Sequence, residues 1–82
     1  MRLPRNLGSD DLIALLQRYG YEATRQTGSH IRLTTSRNGA HHVTIPRHKP
    51  LRIGTLQAIP KDVADHLEVD WPTFLDQLFE RR

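Results

Sequence analysis

The pair Asn38-Gly39 stands between two short runs in which apolar and polar residues alternate, and this leaves the chain few ways to fold. Asn-Gly between alternating runs is a strong hairpin signal, because both residues tolerate positive φ. Ahead of it, His30-Ile31-Arg32-Leu33-Thr34-Thr35 places Ile31 and Leu33 on one side and His30, Arg32 and Thr34 on the other. Behind it, the run from Ala40 to Pro46 places Val43 and Ile45 opposite His42 and Thr44. Parity then fixes the pairing. A two-residue loop would set Leu33 beside Thr44, mixing apolar and polar on one face. A three-residue loop, Arg37-Asn38-Gly39, pairs Leu33 with Val43 and Ile31 with Ile45. The second register is predicted, with His30, Arg32, Thr34, His42 and Thr44 together on a polar sheet face and His30 across from Pro46.

Helical periods flank this hairpin. Ser9 is placed to cap a helix over about 10–19, with Asp10 and Asp11 in its first turn, Leu12, Ile13, Leu16 and Tyr19 on its apolar stripe, and Gly20 at its end. Tyr21, Ala23 and Arg25 then alternate with Glu22, Thr24 and Gln26 as a polar strand, which turns at Thr27-Gly28-Ser29. After the hairpin, Thr55 is placed to cap a helix carrying Leu56, Ile59, Val63 and Leu67, which Pro60 is expected to kink or restart. Asp70 is placed to cap a last helix with Phe74, Leu75, Leu78 and Phe79 on one stripe. The expectation is a single α+β domain over residues 1–82. It has two layers: a helix, a three-stranded antiparallel sheet, and one or two C-terminal helices.

Composition narrows the function classes. An 82-residue chain buries only about 60–65% of its unfolded surface, so one thin core without a deep cleft is expected. It holds no cysteine, which removes disulfides, thiolate ligands and thiol nucleophiles. No apolar run approaches a membrane span, and Met1-Arg2-Leu3-Pro4-Arg5 lacks the apolar stretch of a signal peptide; the cytoplasm and no membrane partner are expected. The net charge of +3 is unevenly distributed. Nine Lys/Arg face only Asp10, Asp11 and Glu22 before Thr55, whereas Lys61, Arg81 and Arg82 face six carboxylates after it. A basic, sheet-bearing part points to a polyanion. Arg25, Arg32, Arg37, Arg47, Lys49 and Arg52 are the candidate phosphate contacts. The few aromatic residues fall at helix ends and in the last helices, where they read as core or partner-facing rather than as a base-stacking platform.

Four segments, in order, carry a family resemblance. They are Leu7–Tyr21 with its closing Gly20, Arg25-Gln26-Thr27-Gly28-Ser29-His30, Val43-Thr44-Ile45-Pro46-Arg47-His48, and Gly54-Thr55-Leu56. Together they resemble the HicA toxins of bacterial toxin–antitoxin modules over roughly 7–67, with 68–82 as a C-terminal extension. The chain departs from the family at Lys49–Ile53, which is shorter than the usual loop, and at Pro60 with the acidic stretch after it. The resemblance implies a double-stranded-RNA-binding-like fold and a metal-independent endoribonuclease that cleaves mRNA. It further implies that the Gly-Ser-His histidine, His30 here, is catalytic, and that a HicB-type antitoxin neutralises the toxin. No cofactor is implied, and a free monomer is expected.

The chemistry suits an imidazole. It titrates near neutrality and is able to take the proton of a ribose 2′-hydroxyl or give one to the leaving 5′-oxygen. His48, two residues past the position across from His30, is the candidate second acid or base; a backbone-bonded turn histidine is its alternative. His42, on the polar face, reads as a solvated strand residue, with RNA binding as its alternative. His41 and His42 point to opposite faces, and no carboxylate stands at ligand spacing, so no metal site is expected. Two other readings of the same fold are a non-catalytic RNA-binding module and an interaction protein that docks a partner through Trp71–Phe79.

Overall fold

In the computed structural model, which describes residues 6–79, the order is helix α1 (Ser9–Gln17), strands β1 (Glu22–Thr27), β2 (His30–Thr35) and β3 (His41–Pro46), then helices α2 (Ile53–Leu67) and α3 (Trp71–Phe79). The strands form one antiparallel sheet in the order β1-β2-β3. Leu33 pairs with Val43, Ile31 with Ile45 and His30 with Pro46, which is the register that parity predicts. The ladder closes at Thr35–His41, and the connection places Asn38 (φ 57°) and Gly39 (φ 97°) in the left-handed region that this dipeptide favours.

The apolar face of the hairpin is the floor of the core. Leu33 and Ile45 are fully buried and Ile31 and Val43 nearly so, beneath Leu12 and Leu16 of α1, Leu56, Val63 and Ala64 of α2, and Phe74 and Leu78 of α3. All helices cover this one face: α1 meets β1 and β3, α2 lies along β3, and α3 packs on α2. The stripe of the last helix is thus turned into the core, with Phe74 edge-on to Tyr19 at 5.0 Å between ring centres. Phe79, expected on that stripe, has a side chain outside the described residues. Fully burying each of these large side chains stabilises the fold by about 1.5–3 kcal/mol.

Helix boundaries differ from the sequence expectations at several ends. Gly8, not Ser9, is the N-cap of α1, and its N–H donates to Oδ2 of Asp11 at 2.9 Å. Ser9 is buried as the first helical residue because its N–H donates to the carbonyl of His48 at 2.9 Å. The helix ends at Gln17, two residues early, with Arg18 as its C-cap. Thr55 does not cap α2, which already begins at Ile53 after an extended Arg52. Pro60 neither ends nor restarts that helix. Its ring is fully buried in the core, and that apolar burial offsets the backbone bond it cannot make. Asp70 caps α3 as expected, with Oδ2 accepting from the Thr73 N–H and hydroxyl at 3.2 and 2.9 Å.

A polar clasp ties α2 to the hairpin. The buried Tyr21 hydroxyl donates to Nδ1 of His41 at 2.7 Å, and the His41 Nε2–H donates to Oδ1 of Asp62 at 3.2 Å. The His41 ring stacks on His66, 4.3 Å away and nearly parallel at 10°. The His66 Nε2–H is shared between the carbonyls of Arg37 and Gly39, each at 2.9 Å, and Asn38 returns a bond to the His66 carbonyl at 2.8 Å. Burial, and secondarily the charge of Asp62, pushes the Tyr21 phenol up to about 12. Raising this pKa favours the neutral phenol in the fold, so its contribution is complete below pH 10 and is lost as pH rises toward 12.

Two outcomes follow for urea unfolding. Leu33→Ala should lose about 2–5 kcal/mol. Tyr21→Phe should lose about 1 kcal/mol at neutral pH, and should also lack the wild-type fall in stability above pH 10.

Candidate functional site

The face of the sheet away from the helices is a small grid. Register sets His30 beside Thr27 and Pro46, Arg32 beside Arg25 and Thr44, and Thr34 beside Glu22 and His42. Arg25 reaches this face through a bulge. Ala23 pairs with Leu33 and Arg25 with Arg32, so Thr24 is an extra residue that reverses the alternation of β1. Simple alternation of Tyr21, Ala23 and Arg25 would have put Arg25 on the core side; the bulge corrects that expectation.

Arg25, Thr27, His30, Arg32 and Thr44 line one shallow cavity of about 200 Å³. Two guanidinium groups directly across a strand pair repel each other, an arrangement that destabilises a sheet by itself. An anion between them would relieve the repulsion. Arginine is suited to it, since its planar fork matches phosphate geometry. His30 is exposed at the rim of this charge, the first residue after a tight two-residue turn. Gly28 has φ 56° there, at the first central position, where its lack of a Cβ admits a turn that matches the strand twist. The turn is further fixed by the Arg47 N–H, which donates to the Ser29 carbonyl at 2.7 Å.

The other candidates are dispersed. That last bond carries the β2–β3 register one step past Pro46, after which the His48 carbonyl takes the Ser9 N–H and the chain turns toward α1. Arg47, His48 and Lys49 therefore line a separate cavity of about 420 Å³ with Gly8, Ser9, Asp10 and Asp11. The two carboxylates there offset the basic charge. Arg37 lines a third cavity with Tyr19, Asn38, Leu67 and Val69, and Arg52 is exposed ahead of α2. Of the six basic candidates, only Arg25 and Arg32 share the cavity of His30. His41 and His42 diverge as parity requires, His41 into the clasp and His42 onto the free face. Among the described residues no cluster of three or more His, Cys, Asp or Glu is placed to hold a metal ion.

Sequence reasoning missed Thr27 as a lining residue, having assigned it to the turn. It also missed the side-chain row Thr24–Thr34–His42, with contacts of 2.8 Å between the two hydroxyls and 2.8 Å from Thr34 to Nδ1 of His42. The polar pairing of Thr34 with His42 was legible; the bulge that brings Thr24 alongside was not.

Helices on one face of a three-stranded antiparallel sheet, in this order, define a double-stranded-RNA-binding-like α+β domain, here with a histidine and two arginines on the uncovered face. The family model described as the HicA toxin of bacterial toxin-antitoxin matches residues 9–64, from the first residue of α1 into α2, and the chain belongs to that family. It is accordingly the toxin of a toxin–antitoxin module, and membership implies an antitoxin partner. No curated protein and no solved structure matches the chain. Among the described residues no helix is long and apolar enough to cross a membrane.

The bulge is testable by length. Deleting Thr24 forces either Arg25 to the helix side of the sheet or the buried Tyr21 out of the core, and should cost about 3 kcal/mol or more in urea unfolding. Thr24→Ala, which keeps the bulge, should cost under about 1 kcal/mol.

Proposed function

We propose that this chain is a metal-independent endoribonuclease that cleaves mRNA on the uncovered sheet face, with His30 as the catalytic residue. The observation that carries this reading is the meeting of the Gly-Ser-His histidine with the opposed pair Arg25 and Arg32 in one cavity. The guanidinium groups seat the scissile phosphate, and His30 takes the proton of the adjacent 2′-hydroxyl. The 2′-oxygen then bonds to phosphorus while the bond from phosphorus to the 5′-oxygen breaks, leaving a 2′,3′-cyclic phosphate and, after protonation, a 5′-hydroxyl. Negative charge that builds on the phosphoryl oxygens faces the two guanidinium cations. The Thr27 and Thr44 hydroxyls supply further donors along the cavity wall.

His30 is the one imidazole lining this cavity, so it carries the proton transfer there, and Arg32 or Arg25 supports the leaving oxygen. His48, with Arg47 and Lys49, is assigned to the RNA strand beyond the cleavage point. Arg37 and Arg52 add general attraction for the polyanion. A HicB-type antitoxin in the cytoplasm neutralises the toxin by covering this face. Using the 2′-hydroxyl as nucleophile also explains how a cavity this shallow suffices, since the substrate brings the attacking group.

His30→Ala should unfold like the wild type and cleave RNA at least about 100-fold more slowly, with loss of growth arrest. RNA with a single 2′-deoxy sugar at the cut site should resist cleavage, and EDTA should leave the rate unchanged. Full cleavage by His30→Ala would sink the assignment; tight RNA binding without products in the wild type would favour a non-catalytic binding module. Arg32→Ala should weaken RNA binding across sequences and lower the salt slope by about 0.7–0.9.

A further inference from the structure

The uncovered face carries a second histidine with an environment of its own. His42 lies at the opposite end of the grid from His30. Its partner is Thr34, and that of His30 is Pro46, so the two rungs are four residues apart, about 13 Å along the strands. That separation is too large for one phosphate to touch both rings. Yet both lie on one continuous face, with Arg32 and Thr44 on the rung between them.

The hydroxyl row holds the Nδ1 side of the His42 ring and leaves Nε2 outward. Thr34 Oγ1 lies 2.8 Å from Nδ1 of His42 and 2.8 Å from Oγ1 of Thr24, and the Thr24 hydroxyl also reaches the carbonyl of Arg32 at 3.5 Å. When Thr34 donates to Nδ1, the neutral ring carries its proton on Nε2, which the exposed His42 presents at the surface. The charged groups on its side of the sheet are Glu22, across Thr34 on the same rung, and Arg25 and Arg32 on the next rung.

We propose that His42, held by the row Thr24–Thr34, is a second phosphodiester-binding position. It grips the RNA strand away from the cut, with its Nε2–H donated to a phosphate oxygen. The proposal rests on the RNA-cleaving reading and extends it, because it makes the sheet face a track longer than the cavity around His30. His42 is here a binding residue; it does not touch the reacting atoms.

Substrate length separates this role from catalysis. On an RNA of about ten nucleotides, His42→Ala should lower kcat/KM three- to tenfold more than it does on a dinucleotide, which cannot reach both rungs. His42→Arg, which restores a donor and charge, should recover most of the loss. In the His30→Ala background, where RNA is held and not cut, His42→Ala should weaken binding of the long RNA by a similar factor. Nitrogen-15 NMR of the free protein at neutral pH should show His42 protonated on Nε2. Equal losses on both substrates, no loss on the long one, or a ring protonated on Nδ1 alone would overturn the proposal. If the wild type neither binds nor cleaves RNA, the reading of the previous subsection fails and this one falls with it. If it does both and His42 is indifferent, only this one fails.

Discussion

Everything on the working face depends on the register between β2 and β3. Pairing Leu33 with Val43 puts four apolar side chains under the helices and, by the same parity, His30, Arg32, Thr34, His42 and Thr44 on the face the helices leave bare. A slip of one residue would bury the arginine and expose the leucine. The core therefore enforces the site: burial of Leu33 and Ile45 is what keeps His30 and Arg32 outward. The stability that fixes the fold and the placement of the charged groups come from one constraint.

The second strand pair works differently. β1 is exposed along its whole length and contributes little to the core, so it tolerates the bulge at Thr24. That bulge brings Arg25 opposite Arg32 and Thr24 beside Thr34. The resulting clash of like charges is a local cost, and the rest of the fold carries it. The clasp of Tyr21, His41, Asp62 and His66 sits at the far end of the hairpin from this pair of cations and holds α2 to the loop.

How much of this could be read in the amino-acid order follows from how local each signal is. The hairpin register was legible because a period of two and an Asn-Gly turn leave one pairing that separates apolar from polar. The Asp70 cap was legible for the same local reason. The bulge was not, since a polar strand has no apolar alternation to reveal an extra residue. The start of α1 was displaced because a distant backbone group decides it: the His48 carbonyl holds Ser9 inside the helix. The same turn of the chain draws His48 to a different cavity from His30, which a ladder extended in sequence alone does not reveal. The His41–His66 stack joins residues 25 apart in the chain, and no local pattern announces it.

The central claim is that RNA lies on the uncovered sheet face, its scissile phosphate between Arg25 and Arg32 and beside His30. The most direct test is chemical-shift mapping with an RNA made uncleavable by a single 2′-deoxy sugar. The account predicts the largest shifts at Arg25, His30, Arg32 and Thr44, while the helical side of the domain stays still. Shifts confined to α1 and α2, with the sheet face unmoved, would contradict it.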